Sequence, residues 1–252
     1  MSTEPRLVAI DTATRRAAVA IGSGRDAALA SRSWEAGYRH GEELLAVLDE
    51  LLRHAGTALG DLAAVVVGTG PGAFTGLRVG LATAKGLAYG LRIPVIGVRS
   101  TAALALAAQA AGGAPDPIHD AAVLMPAGPH DRYLARYRLA PGGSEAPGLR
   151  GLTAVPVGDP ELVPSGESIS SRIAGATLVA VDLPAALDVP PDACELGLAA
   201  QSGLGAALLA SGRAALDSGR TDDVAALVPA YVTLPRGVAA QTETIEWSHD
   251  HR

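Results

Sequence analysis

Hydrophobic and polar positions change period several times along the chain, and each change marks an element. Leu7 to Asp11 and Ala17 to Ile21 are short apolar runs separated by the polar turn Thr12-Ala13-Thr14-Arg15-Arg16. They predict a β-hairpin, with a third strand over Ala27 to Trp34. The pattern then becomes helical in GEELLAVLDELLRHAG, with Leu44, Leu45, Val47, Leu48, Leu51, Leu52 and Ala55 recurring on one side. Glu42 and Glu43 sit in its first turn, Arg53 and His54 in its last, and Gly56 follows as a stop. The apolar arc covers about 160°, wider than the roughly 100° stripe that docks on one sheet.

Ala63 to Val67 is a fully apolar strand, Thr75 to Gly90 a helix and Ile93 to Val98 a strand. Ser100 is expected to cap an Ala/Leu-rich helix ending at Gly112-Gly113. A hairpin followed by alternating helices and strands predicts a mixed sheet covered by helices. Ala111 to Pro117 reads as a hinge, after which strands at Ala121 to Met125, Arg132 to Leu139, Leu152 to Val157 and Thr177 to Val181 precede a helix at Glu195 to Ser211. The second half is thus a shorter, looser echo of the first. The expected division is a partner-binding lobe over residues 1–110 and a second lobe over 111–240 whose end packs back on the first. A polar tail over 241–252 follows.

Composition narrows the class. A chain of 252 residues with 48% hydrophobic and 18% charged positions is globular. A net charge of −6 argues against a nucleic-acid binder acting alone. Cys194 is the single cysteine, which excludes an internal disulfide and fits a reducing compartment. The N-terminus carries no secretory apolar core, and Arg, Gly and Pro interrupt every apolar run before membrane-spanning length. The expectation is a cytoplasmic protein without a membrane segment.

The stretch GTGPGAFTG, Gly68 to Gly76, has the outline of a phosphate loop but fails its spacings. No glycine is followed at the right distance by Gly-Lys-Ser/Thr, and Gly70, Gly72 and Gly76 give GxGxxxG, one residue longer than the dinucleotide fingerprint. Between Asp61 and Asp116 there is no acidic residue to meet a ribose or hold magnesium. Pro71-Gly72 fits the centre of a type II turn in which Gly72 takes positive φ. In the helix that follows, Gly76, Gly80, Ala84 and Ala88 form one row of small residues and Ala82, Gly86 and Gly90 a second. Internal helical glycines cost about 1 kcal/mol each relative to alanine, so the rows point to close approach by another helix or to packing on the protein's own sheet. Arg78 sits unfavourably in the first helical turn. Arg78, Lys85, Arg92 and Arg99 make the acid-free region a basic patch, either a docking face or a plain solvated one.

AIDTAT (Ala9 to Thr14), the helix opened by His40, and GPGAFTGLRVG (Gly70 to Gly80) with its continuation AKGLAYGLRIPVIGVRS resemble the bacterial TsaB (YeaZ) family. The resemblance covers residues 7 to 105 and continues more weakly through ALVPAYVTLPRGVA (Ala226 to Ala239), similar to the family's Pro-x-Tyr-Leu-Arg ending. It implies an α/β fold of the ASKHA (actin/Hsp70-like) type with two RNase-H-like lobes. It also implies a non-catalytic subunit in the synthesis of N6-threonylcarbamoyladenosine next to the anticodon of tRNAs that read ANN codons. The implied partners are the catalytic subunit TsaD and the ATPase TsaE, with a homodimer when the chain is alone and tRNA touched only indirectly. ATP and a metal ion are expected in those partners and none on this chain.

The interface implied by the resemblance comprises Leu45 and Leu52 on the first helix, and Phe74, Thr75, Gly76, Leu77, Arg78, Gly80, Leu81, Ala84, Lys85 and Ala88 on the second. Arginine at Gly80 or Ala84 is expected to break docking while leaving the fold intact. The chain departs from the family in MPAGPHDRY, Met125 to Tyr133, where Pro126 and Gly128 replace an expected acid and base, and near its end, where Thr233 and Arg236 replace a direct Leu-Arg.

Asp11 and Thr12 stand where ASKHA enzymes place their first phosphate and metal contacts, and are read as vestigial nucleotide contacts or as a simple turn. Histidines 40, 54, 119, 130, 249 and 251 offer no His-x-x-x-His or HExxH pair. No GxSxG elbow exists, and Cys194 has no histidine near it in sequence. The alternatives are an ATP-dependent ASKHA enzyme such as a small-molecule kinase and a homodimeric scaffold without a catalytic partner.

Overall fold

Alternation along the first strands sorts side chains by size. In β1 (Arg6–Asp11), β2 (Arg16–Gly22) and β4 (Leu62–Gly68), the valines and isoleucines Val8, Ile10, Val19, Ile21, Val65 and Val67 point to the outer face. The opposite face holds mostly small residues: Ala9, Ala18, Ala20 and Ala64, with Leu7 and Val66. With β3 (Ala30–Glu35) and β5 (Val95–Val98) these strands form a sheet of order β3-β2-β1-β4-β5. The hairpin pairings are antiparallel, and β4 and β5 run parallel to β1. Helices α1 (His40–His54) and α2 (Phe74–Leu91) cover its outer face. A computed structural model of the chain describes residues 4–36, 40–112, 117–143, 149, 151–173, 175–186 and 188–232. The tail from Gln241, together with Thr233 and Arg236, lies outside the described residues.

The echo in the second half is topological. Strands β6 (Asp120–Ala127), β7 (Asp131–Pro141) and β8 (Leu152–Pro156) form an antiparallel meander, and β10 (Thr177–Ala180) lies parallel to β6. This repeats the relation of β1, β2, β3 and β4. The short β9 (Glu161–Val163) also pairs with β7, and the four-residue helix α4 (Ser170–Ile173) follows it. Neither is visible in the sequence pattern, because three or four residues carry no period.

Two helices lie between the sheets. Helix α3 (Ser100–Ala110) continues directly from β5 yet packs on the second sheet, against β6, β7, β8 and β10. Helix α5 (Pro191–Asp217), the last helix of the described chain, packs on the first sheet across β1 to β5 and on β10. It begins before the expected Glu195 because Pro191 occupies its first turn, where a missing N–H costs nothing. The fit on the small inner face is close enough that a Cβ at Gly212 would overlap Val66. By length and composition α5 could also cross a membrane, contrary to the sequence expectation that no such segment exists. Here it is a core helix, with 61% of its apolar window buried.

After α5 the chain returns to the first lobe as an irregular strap. Asp222 N–H bonds to Val95 O over 2.9 Å on the free edge of β5, and Ala230 N–H bonds to Thr69 O over 2.8 Å. Val224 and Leu227 pack with the outer core of the first lobe.

Candidate functional site

The glycine loop joins β4 to α2, and its geometry differs from the expected turn. The Gly70–Pro71 peptide is cis, and positive φ falls on Gly70 at 95°, not on Gly72. Gly72 is needed for a different reason: a Cβ there would overlap the carbonyl of Ala13. The Ala73 N–H bonds to that same carbonyl over 2.7 Å, which fastens the start of α2 to the β1–β2 turn.

Beneath the loop lies Asp11, with 0% exposure. Its Oδ1 accepts from the Ala13 N–H over 2.8 Å and its Oδ2 from Ser100 Oγ over 2.6 Å. Burial pushes its pKa up to about 6, while the Ser100 and Ala13 hydrogen bonds pull in the opposite direction. Ser100 is not a helix cap, because Arg99 occupies that position and Ser100 lies in the first turn. Its hydroxyl accepts from the Gly70 N–H and donates to Asp11. Asp11 Oδ2 also lies against Gly68, where a Cβ would overlap it. With both oxygens engaged and no open side, this carboxylate does not fit a hydrated metal ion. Thr12 faces away from the crevice and donates to Gly76 O over 2.7 Å. Among the described residues, no group of three or more His, Cys, Asp or Glu is placed to hold a metal.

The crevice between the lobes is tied across. Asp182, at the end of β10 with a φ of 57°, accepts from the Arg15 N–H and, over 2.9 Å, from Gln201 Nε2, which also donates to Thr14 Oγ1 over 3.1 Å. The β1–β2 turn therefore directs a backbone N–H at the protein's own carboxylate. Cys194 lies nearby, and burial, followed by Asp192 and Glu195, pushes its thiol pKa up, away from nucleophilic use. The divergent segment around Gly128 forms the tight β6–β7 hairpin turn, Gly128 having a φ of 90°.

The implied interface residues divide three ways. Gly76, Leu77, Gly80, Leu81, Ala84 and Ala88 are buried inside the first lobe, and a Cβ at Gly80 would overlap Thr12 Oγ1. Arginine at Gly80 or Ala84 would therefore break the lobe itself, which corrects the expectation of an intact fold. Leu52 is likewise 8% exposed. Phe74, Arg78 and Lys85 contact the strap. The Arg78 guanidinium lies 3.8 Å from the centre of the Phe74 ring and donates to Tyr231 Oη over 3.2 Å. Lys85 Nζ donates to Ala225 O over 3.2 Å, and the Phe74 and Tyr231 rings are 5.6 Å apart. These contacts account for a cation in the first turn of α2.

What remains open is the second row. Thr75, Ala82, Gly86 and Gly90 are exposed, nothing lies within 4 Å of a Cβ placed at Gly86 or Gly90, and Tyr89 beside them is 81% exposed. Leu45 of α1, 59% exposed, follows one turn after Gly41, which faces Val79 of α2. The surplus of the wide apolar arc on α1 thus lies on its α2 side. On the second helix most of the residues implied by the resemblance fall on its buried flank; the signal that separates the rows is the pair Leu77 and Leu81, adjacent to Gly76 and Gly80.

Two sheets sharing one strand order, joined by exchanged helices and closing on a crevice at the β1–β2 turn, define a two-lobed protein of the ASKHA class. Residues 34–147 match the family model described as TsaD, tRNA N6-adenosine threonylcarbamoyltransferase. The tRNA threonylcarbamoyladenosine biosynthesis protein TsaB of Escherichia coli K12 is 37% identical over 109 residues, 43% of this chain and 46% of that one. TsaB of Haemophilus influenzae is 38% identical over 106 residues, 40% and 42% of the two chains. In these matches the chain spans less than half the length of either relative. The solved structure of YeaZ from Pseudomonas aeruginosa superposes with a TM-score of 0.65 at 25% identity, over 90% of this chain and all of that one. Sequence over the first lobe and fold over nearly the whole chain are thus both similar to TsaB (YeaZ) proteins.

Proposed function

We propose that this chain is a non-catalytic subunit in threonylcarbamoyl transfer to tRNA, acting by binding the catalytic TsaD subunit through the outer face of α1 and α2. The observation that carries this reading is the exposed Ala82–Gly86–Gly90 row flanked by Leu45 and Tyr89. An exposed helix gains nothing from internal glycines, which cost about 1 kcal/mol each, unless another backbone comes close. A bare aromatic and a bare leucine beside such a row supply the apolar anchors that interfaces use. The same face serves a second copy of the chain when TsaD is absent. ATP, metal and the ATPase TsaE belong to the partner side of the assembly, and tRNA is reached through it. The engaged, fully buried Asp11 and the Asp182 tie across the crevice count against the kinase-like alternative.

The test is co-purification with TsaD and reconstituted tRNA modification using Gly86→Arg and Tyr89→Arg. Both variants should melt at or above the wild-type temperature, lose the complex and lose activity in the mixture. Retention of the complex by both would remove this face from the interface.

A further inference from the structure

An interlobe cavity of about 480 Å³ opens beyond the carboxyl ends of β4 and β5. Open α/β sheets accept ligands at this end of their strands, and the volume lies in the range of small-molecule sites. It is separate from the α1/α2 face and from the Asp182 tie. Thr69 and Arg99 line it from the first lobe, Tyr137 and Thr153 from the second, and Ser211 and Arg220 from α5 and the turn after it. Aliphatic side chains of α3 and β8 complete the wall.

The charge of this lining is one-sided. Among the described residues it contains two arginines and no Asp, Glu or Lys, in a chain of net charge −6. Other arginines such as Arg132, Arg172 and Arg213 pair with carboxylates, whereas among the described residues none pairs with Arg99 or Arg220. Asp222, two residues past Arg220, directs Oδ2 to the Gly97 N–H over 2.7 Å. Arg99 lies near the Tyr137 hydroxyl, which is 2.7 Å from Thr101 Oγ1 on a side chain only 2% exposed. A guanidinium has five donors, enough to meet both this hydroxyl and a ligand.

Guanidinium groups in a partly enclosed cavity without acids recognise carboxylate or phosphate by charge-assisted hydrogen bonds. A cation would find no counter-charge among the described lining residues, and a nucleic-acid strand would need more basic groups than the two arginines of this cavity. We propose that the cavity binds a small organic anion, its carboxylate or phosphate held by Arg99 and Arg220 and its apolar body lying against α3 and β8. This does not rest on the role proposed above.

The experiment is a titration of the ¹⁵N-labelled full chain with phenyl phosphate, benzoate and the neutral control benzyl alcohol, followed by amide shifts. At least one anion should give saturable shifts centred on Gly97, Arg99, Thr153 and Ser211, and the tighter of the two assigns the head group. Benzyl alcohol should give none. Arg220→Gln and Arg99→Gln should each keep the wild-type spectrum away from the cavity and weaken binding about tenfold or more. Absence of saturable shifts with both anions, equal response to benzyl alcohol, or unchanged affinity in both variants would overturn the site.

Discussion

Ser100 Oγ donates to Asp11 Oδ2 over 2.6 Å while accepting from the Gly70 N–H over 3.0 Å, so one hydroxyl joins the end of β1, the glycine loop and α3. The carboxylate at this junction has a pKa raised by burial from 3.8 to about 6. Between those values the folded chain retains a proton that the unfolded chain has lost. Its contribution to stability is therefore full below the unfolded value and is lost as pH rises through the folded one. Asp11→Asn removes the titration, so its stability relative to wild type should rise by up to roughly 3 kcal/mol between acid and neutral pH. Urea melts of both proteins across that window measure the difference; a constant difference contradicts the assignment.

Gly80 and Gly86 are two helical glycines of opposite consequence. Alanine at Gly80 meets Thr12 Oγ1 and displaces its bond to Gly76 O, and should cost about 1–3 kcal/mol. Alanine at Gly86 meets nothing within 4 Å, and should stabilise by about 0.5–1 kcal/mol. Chemical denaturation of the two single variants decides the point.

The strap is held at its far end by Arg78, Phe74 and Tyr231. Tyr231→Ala should lower global stability by no more than about 1 kcal/mol. It should nevertheless speed hydrogen exchange at the Ala230 amide, which bonds to Thr69 O, far more than at amides of β1. Equal acceleration everywhere would mean that the strap is no separate unit.

Asp182 and Gln201 act together across the crevice. Asp182→Ala hands the exposed Arg15 N–H to water and removes the acceptor of Gln201 Nε2, and should cost about 0.5–1.5 kcal/mol. In a double-mutant cycle with Gln201→Ala the two losses should fall short of additivity by at least about 0.5 kcal/mol. Strict additivity would show that the shared hydrogen bond contributes nothing.

Local period and end signals made most of the fold legible. Helix α1 was readable because Glu42, Glu43, Arg53, His54 and Gly56 mark both ends of a strong period, and the strands because valine and isoleucine runs are bounded by turns. The rotation of α2 was not readable from spacing alone, since two rows of small residues differ only in what surrounds them. Ser100 looked like a cap because serine commonly caps; its actual partners, Asp11 and Gly70, are 89 and 30 residues away. The strap has no period, so its contacts with Arg78 and Lys85 left no local trace, and a satisfied pair of cations looked like a free basic patch.

The exchange of α3 and α5 between sheets has a consequence for the order in which the chain can fold as it leaves the ribosome. All five strands of the first sheet are complete by Val98, but the helix that covers their inner face begins only at Pro191. For the length of chain between them, Ala9, Ala18, Ala20, Ala64 and Val66 have no cover of their own. The free edge of β5 waits longer still, for Asp222. A fragment ending after α3 would carry a bare apolar face and an unpaired edge, the two features that drive nascent chains to aggregate. The halves can therefore repeat one topology without either being a domain that matures alone.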